Sequence, residues 1–307
     1  MKKFVVKQIH IFRHNWELLT LCLPALVLYI MFNYVPMGGL VLAFKDYKFN
    51  LGIFKSPWIG LQNMKYLLTN PNFGRTIRNT VAYSVGFLVI GIVCEVFVAL
   101  LLYEINHKAS LKFFQTVMQF PRFMSWVIIS FISYAIFQPT YGILNQLVIA
   151  LGGSKVDVYT MPGIWPLILT VFNEWKAVGA GCILYYAALM GIDKSLYEAA
   201  AIDGAGRLKQ IWYISLPELV PLMTMLLILG MGNILGGDFG LFYQITRDVG
   251  LLYPTTDILA TYNFRMLQSS SFSYGTTVSL MSSVVGFVLT LSVNAIVKKI
   301  NPEHAMF

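Results

Sequence analysis

Three cysteines, four histidines and fourteen acidic residues are the raw material for covalent, metal or acid–base chemistry in this 307-residue sequence, and their spacing does not supply it. Cys22, Cys94 and Cys182 each sit in a different apolar run, without a Cys or His partner at metal-ligand spacing. They read as small apolar fillers and not as a disulfide or a metal site. No histidine cluster, Ser/Lys pair or Asp pair falls at catalytic spacing inside the apolar runs, so no catalytic residue is assigned. The polar residues that stand out there are Glu95 and the run Asn173-Glu174-Trp175-Lys176. A charge at the centre of a bilayer costs about 2.5–3.5 kcal/mol on insertion scales, so these groups must face protein or water. Successive helical residues point about 100° apart, so Glu174 and Lys176 diverge and do not line one surface.

A second chemical feature is the longest polar interval in the second half of the chain, Ser195 to Pro217. Its composition predicts two short helices at an angle. Ser195 with Glu198 fits a capping box, and Ser215 with Glu218, with Pro217 in the first turn, fits another. Ala199, Ala200 and Ala201 favour helix and keep its surface flat, while Gly204 and Gly206 allow a stop or a sharp turn. A flat small-residue helix of this kind suits a groove on another protein.

The elements that position these residues are membrane spans. Only 12% of the residues are charged and 57% are hydrophobic, whereas soluble domains carry about 25% charged residues. The net charge of +8 is scattered among apolar runs, with no arginine-rich stripe or stacking platform, which argues against nucleic acid and for basic flanks beside anionic lipid. The hydropathy pattern predicts an all-α polytopic protein with six transmembrane helices at about 18–44, 79–103, 113–137, 164–190, 217–237 and 272–297. Residues 1–17 read as a basic amphipathic segment on the cytoplasmic surface, ahead of a six-span membrane domain over 18–307 with a loop at 191–216. Pro24 and Pro36 should bend the first span, and Gly38-Gly39 invites close helix contact. Arg122, after Pro121, is placed towards the cytoplasmic end of the third span.

The run Glu198-Ala199-Ala200, three residues, Gly204, nine residues, Ile214, one residue, Leu216-Pro217 resembles the EAA loop of binding-protein-dependent ABC importer permeases, with Asp203 and Ala205 matching its fuller form. The resemblance extends over nearly the whole chain. Asn33-Tyr34-Val35-Pro36, Gly60-Leu61-Gln62-Asn63, Asp238-Phe239-Gly240-Leu241-Phe242-Tyr243-Gln244 and Tyr253-Pro254-Thr255-Thr256-Asp257 look like the oligosaccharide and polysaccharide branch from Gram-positive bacteria. What it implies is the type I importer fold in a bacterial plasma membrane, with a second, similar permease, two copies of a cytoplasmic ATPase and an extracellular solute-binding lipoprotein. ATP and Mg would then be held by the ATPase, since this chain has no Gly-x-x-x-x-Gly-Lys-Ser/Thr sequence and no cofactor of its own. The coupling role would fall on Glu198, Ala199, Ala200, Asp203, Gly204, Ala205, Ile214, Leu216 and Pro217. Four spans precede that loop, so a cytoplasmic loop implies cytoplasmic termini.

For the solute path, the resemblance points to Trp175 and Asn233, with Asn173 and Glu174 beside them. Rings stack on sugar C–H faces and amides bond hydroxyls. The same residues also fit a packing role, with Glu174 and Lys176 in structural pairs and Asn233 bound to a neighbouring helix. From a different class, a secondary carrier or channel would work without an ATPase and use Glu174 or Glu95 as a proton relay.

Overall fold

The computed structural model describes residues 16–300; the expected amphipathic segment lies almost entirely outside them. Among the described residues the secondary structure is helical, without a strand; Lys45 and Trp58 form one isolated antiparallel bridge. Among the described residues five helices are long and apolar enough to cross a membrane, and one bent pair passes the same test when its two halves are taken as a single span.

The first helix, α1 (Trp16–Tyr29), passes into a π-turn at Ile30–Tyr34 and a 3₁₀ stretch at Val35–Phe44. Pro36 lacks an N–H and its ring crowds the carbonyl four residues back, so the ladder changes pitch around it. Among the described residues nothing lies within 4 Å of a Cβ built on Gly38 or Gly39, so the close contact expected there is not made to them. After α2 (Gln62–Thr69), the long helix α3 (Pro71–Tyr103) begins eight residues before its apolar run. Asn70 accepts a hydrogen bond from the Asn72 N–H and Pro71 occupies the first turn, so the start is set by a cap that hydropathy does not register.

The third span is not one helix. It breaks into α4 (Lys108–Phe123) and α5 (Trp126–Phe137), bent by 96°. Met124 is extended and Ser125 caps α5, its hydroxyl accepting from the Ile128 N–H at 3.3 Å. Pro121 removes a ladder bond just ahead of the break. Arg122 consequently lies in the last turn of α4, beside the break.

Beyond α6 (Ile143–Ala150), the central helix α7 (Trp165–Met190) packs along α3 and α4. A Cβ on Gly179 would fall 1.8 Å from the Met118 carbonyl oxygen, and one on Gly181 would fall 1.9 Å from Glu95 Oε1. Those two glycines let α7 meet the α4 backbone on one side and seat the Glu95 carboxyl on the other. The chain then forms α8 (Lys194–Ile202), α9 (Leu216–Gly232), α10 (Leu259–Gln268) and α11 (Phe272–Ile300).

Long-range polar contacts tie the segment between α9 and α11 to α3. Arg265 bridges Asp248 at 3.1 Å and Asp257 at 2.5 Å, and its guanidinium lies 4.2 Å from the Tyr253 ring centre. Asn79 donates to the carbonyls of Pro254 and Asp257, and the Leu259 N–H donates to Thr80. Burial works against the charge on Arg265, but the hydrogen bond and the charge of Asp257 more than offset it and raise its pKa.

Candidate functional site

Helix α8 starts earlier than the capping box predicts. Asp193 is its N-cap and accepts the Ser195 N–H at 2.9 Å, so Ser195 lies inside the first turn. Glu198 is therefore not a capping residue. It is exposed and has no hydrogen bond or ion pair among the described residues. The second expected box is also absent. The helix leading into α9 begins at Arg207, and Ser215 lies within it in a π-turn, with helical φ and ψ.

The stop at the end of α8 explains the Ala and Gly pattern. Gly204 has φ of +76°, a left-handed conformation that strains any residue with a Cβ. Its N–H donates to the Ala201 carbonyl at 3.1 Å, and the Ala205 N–H reaches back to the Ala200 carbonyl at 2.8 Å. These are the two bonds of a Schellman motif, with Gly204 and Ala205 just beyond the helix. The next helix turns away after Gly206.

The elbow is pinned to its own bundle from one side. Tyr197 and Ser215 share a hydroxyl hydrogen bond at 2.8 Å, Gln210 donates to the Ala205 carbonyl, and Arg207 pairs with Glu104 beyond the end of α3. From the other side it is bare. Ile202 is 86% exposed, Leu208 74% and Tyr213 80%, in the middle of a polar interval. Glu198, Ala199, Asp203 and Gly204 share that exposure, while Ala200, Ala205, Ile214 and Leu216 are half-buried and Pro217 is exposed in the first turn of α9. Local signals located this elbow. The apolar side chains around it were missed, although Leu208 stands in the sequence between Arg207 and Lys209 and Tyr213 lies in the short apolar run Ile211–Ile214.

The proposed path residues do not converge. Glu174 is buried against Gly91 of α3 and accepts from the Asn173 amide at 3.0 Å. Lys176 points elsewhere, donating to the Met124 carbonyl and lying 4.6 Å from the Trp126 ring centre, so the two charges diverge as the helical period requires. Trp175 opens with Glu174 onto a cleft of about 420 Å³ between α3, α4 and α7. Asn233 lies just past the end of α9, not inside a span, and lines a different cleft of about 550 Å³ with Ser84, Phe87 and the 237–240 segment. Beside it Phe239, Tyr243 and Phe264 stack at 4.8–5.1 Å between ring centres. Ser84 and Phe239 were not singled out as path residues, because only the fold brings α3 to the turn after α9. No cluster of three or more His, Cys, Asp or Glu suited to a metal occurs among the described residues.

A bundle of spans with an exposed, glycine-stopped elbow between two of them is the architecture of the membrane-spanning permease of an ATP-driven importer, a transport component and not an enzyme. The chain belongs to the family described as binding-protein-dependent transport system inner membrane component, whose model matches residues 95–302. It is 35% identical over 292 residues to Protein LplB of Bacillus subtilis (strain 168), covering 95% of this chain and 91% of that protein. It is 36% identical over 285 residues to the polygalacturonan/rhamnogalacturonan transport system permease protein YteP of the same strain, covering 92% and 87%. Among solved structures, a bacterial ABC transporter involved in the import of the acidic polysaccharide alginate matches with a TM-score of 0.86 at 31% identity, covering 96% of this chain and 99% of that one.

Proposed function

We propose that the chain forms half of the translocation path of an importer for oligosaccharides or polysaccharide fragments, and that its elbow receives work from a separate ATPase. The observation that carries this is the bare side of the elbow: Ile202, Leu208 and Tyr213 are exposed beside a flat alanine surface held by a Schellman stop. A second, homologous permease completes the path, two cytoplasmic ATPase subunits bind ATP and Mg, and an extracellular solute-binding lipoprotein delivers the cargo. The elbow and both termini then face the cytoplasm of a bacterial cell. The carbohydrate reading rests on one relative named for polygalacturonan/rhamnogalacturonan transport and on a structural neighbour crystallised with an alginate pentasaccharide-bound periplasmic protein.

Work passes only if the ATPase contacts the elbow differently in its nucleotide-bound and nucleotide-free states. The rigid pinning of the elbow to Tyr103 and Glu104 then transmits that difference into α3 and α9. Glu198→Lys and Gly204→Asp, reconstituted with the ATPase, should insert normally but hydrolyse ATP without import. Wild-type import in both variants would rule the docking role out, and import that persists without any ATPase would identify a carrier.

A further inference from the structure

Lys176 sits at the start of a chain of contacts that leads into the Asn233 cleft. Its ammonium bonds the carbonyl of Met124, the residue at which α4 breaks, and lies over the Trp126 ring. The indole N–H of Trp126 donates to Asp238 Oδ2 at 2.7 Å. Asp238 Oδ1 accepts the Leu241 N–H at 3.1 Å, which closes the turn there. A Cβ on Gly240 would fall 2.3 Å from Trp126 Cδ1, so the indole lies flush against that backbone. The segment held this way, Gly237 to Gly240, is one wall of the cleft.

The chain is balanced in charge and in hydrogen bonds. A lysine inside a span needs partners. Here the Met124 carbonyl, a ring face and the Asp238 carboxylate at the edge of that ring provide them, against the like charge of nearby Arg122. Removing the ammonium would leave the Met124 carbonyl unpaired at the helix break and Asp238 without its nearby cation. We infer that Lys176 is a positioning residue: it does not touch cargo, but through Trp126 it sets where the Asp238–Gly240 wall stands in the cleft. Its effect on transport rests on the reading of that cleft as a place where oligosaccharide passes.

The test uses the assembled importer in proteoliposomes, with this chain's cysteines replaced by serine and Phe239→Cys as the reporter. A water-soluble maleimide reads the position of the wall without any cargo. Lys176→Met and Trp126→Phe should each change the labelling rate about tenfold, and the double variant should change it no further, since both cut one chain. Lys176→Arg should stay within twofold, because a guanidinium can bond the carbonyl and stack on the indole. Without the reporter, and with a radiolabelled polygalacturonan digest as the probe, Lys176→Met should raise the KM for uptake more than it lowers Vmax.

Labelling unchanged in Lys176→Met, or effects that add in the double variant, would overturn the linkage. So would a Lys176→Arg variant as perturbed as Lys176→Met. A fall in Vmax at constant KM, with the labelling result as expected, would overturn the effect on cargo and not the linkage. Asn233→Ala tests the cleft separately. An unchanged KM there, with the labelling result as expected, would remove the cleft reading and leave the linkage standing.

Discussion

The elbow at 193–215 and the segment at 233–268 are built in opposite ways. Almost every bond that shapes the elbow joins residues fewer than twenty positions apart: Asp193 with Ser195, Ala200 with Ala205, Ala205 with Gln210, Tyr197 with Ser215. In the second segment the decisive bonds reach much further. Asp238 meets Trp126 across 112 positions, and Asp257 meets Thr76 across 181. A short-range device can stand exposed and keep its shape, which suits a surface that meets another subunit. A long-range one holds only while several helices stay packed, which suits the wall of a path that opens and closes.

The largest effect is expected at Arg265, whose partners lie only 8 and 17 positions away but which holds Asp257, the residue that reaches Thr76 and Asn79 of α3. Its partner Asp257 is 3% exposed, so Arg265→Met strands a buried carboxylate, and removing one member of such a pair costs about 3–5 kcal/mol. The expected result is a large loss of assembled complex and a lower melting temperature, with Arg265→Lys between the two. A variant that melts like the wild type would show that the segment does not depend on this buried pair.

A smaller, confined effect is expected at Gly204. Giving it a Cβ at a left-handed φ costs about 1–2 kcal/mol. Gly204→Ala should loosen the end of α8 and reduce the sugar moved per ATP, with little change in global melting. Hydrogen exchange at Ala205 should rise several-fold while exchange in α3 stays the same. Faster exchange throughout α3 would mean that the elbow is not local.

The smallest effect is a pH dependence at Asp193. The backbone N–H of Ser195 holds its pKa below the ordinary carboxylate value. A lowered pKa stabilises the helix start above the unfolded value, and this contribution fades as pH falls through the folded value. Exchange of the Ser195 amide, corrected for its intrinsic rate, should therefore be slowest near neutrality and gain on the reference only under acid conditions. Asp193→Asn should abolish that pH dependence; if it persists in the variant, the cap is not its origin.

The same division explains which expectations held. The long apolar runs gave the all-helical class and five of the six expected spans as single helices, because hydropathy over twenty residues is a local quantity. Gly204 was legible as a stop, since a glycine after a run of alanines signals a left-handed end. The capping boxes failed because Ser195 and Ser215 had competitors that pattern reading did not weigh: Asp193 upstream, and a continuous turn from Arg207. The 96° break was hidden because Phe120 to Phe137 reads as an apolar run, although Pro121 and the capping Ser125 lie within it.

By itself, the sequence determined that this chain is a bundle of membrane-crossing helices interrupted by an alanine-glycine elbow. Both follow from composition and from interactions within a few turns of helix. Tertiary structure alone decided that Glu174 turns into the seam with α3 while Lys176 turns to the broken span, and that Trp175 and Asn233 open onto separate clefts. It also brought Asp238 to Trp126 and Asp257 to Thr76. A side chain's local pattern gives its direction on a helix, but what it meets there depends on how distant helices cross, and that is settled only when the bundle closes.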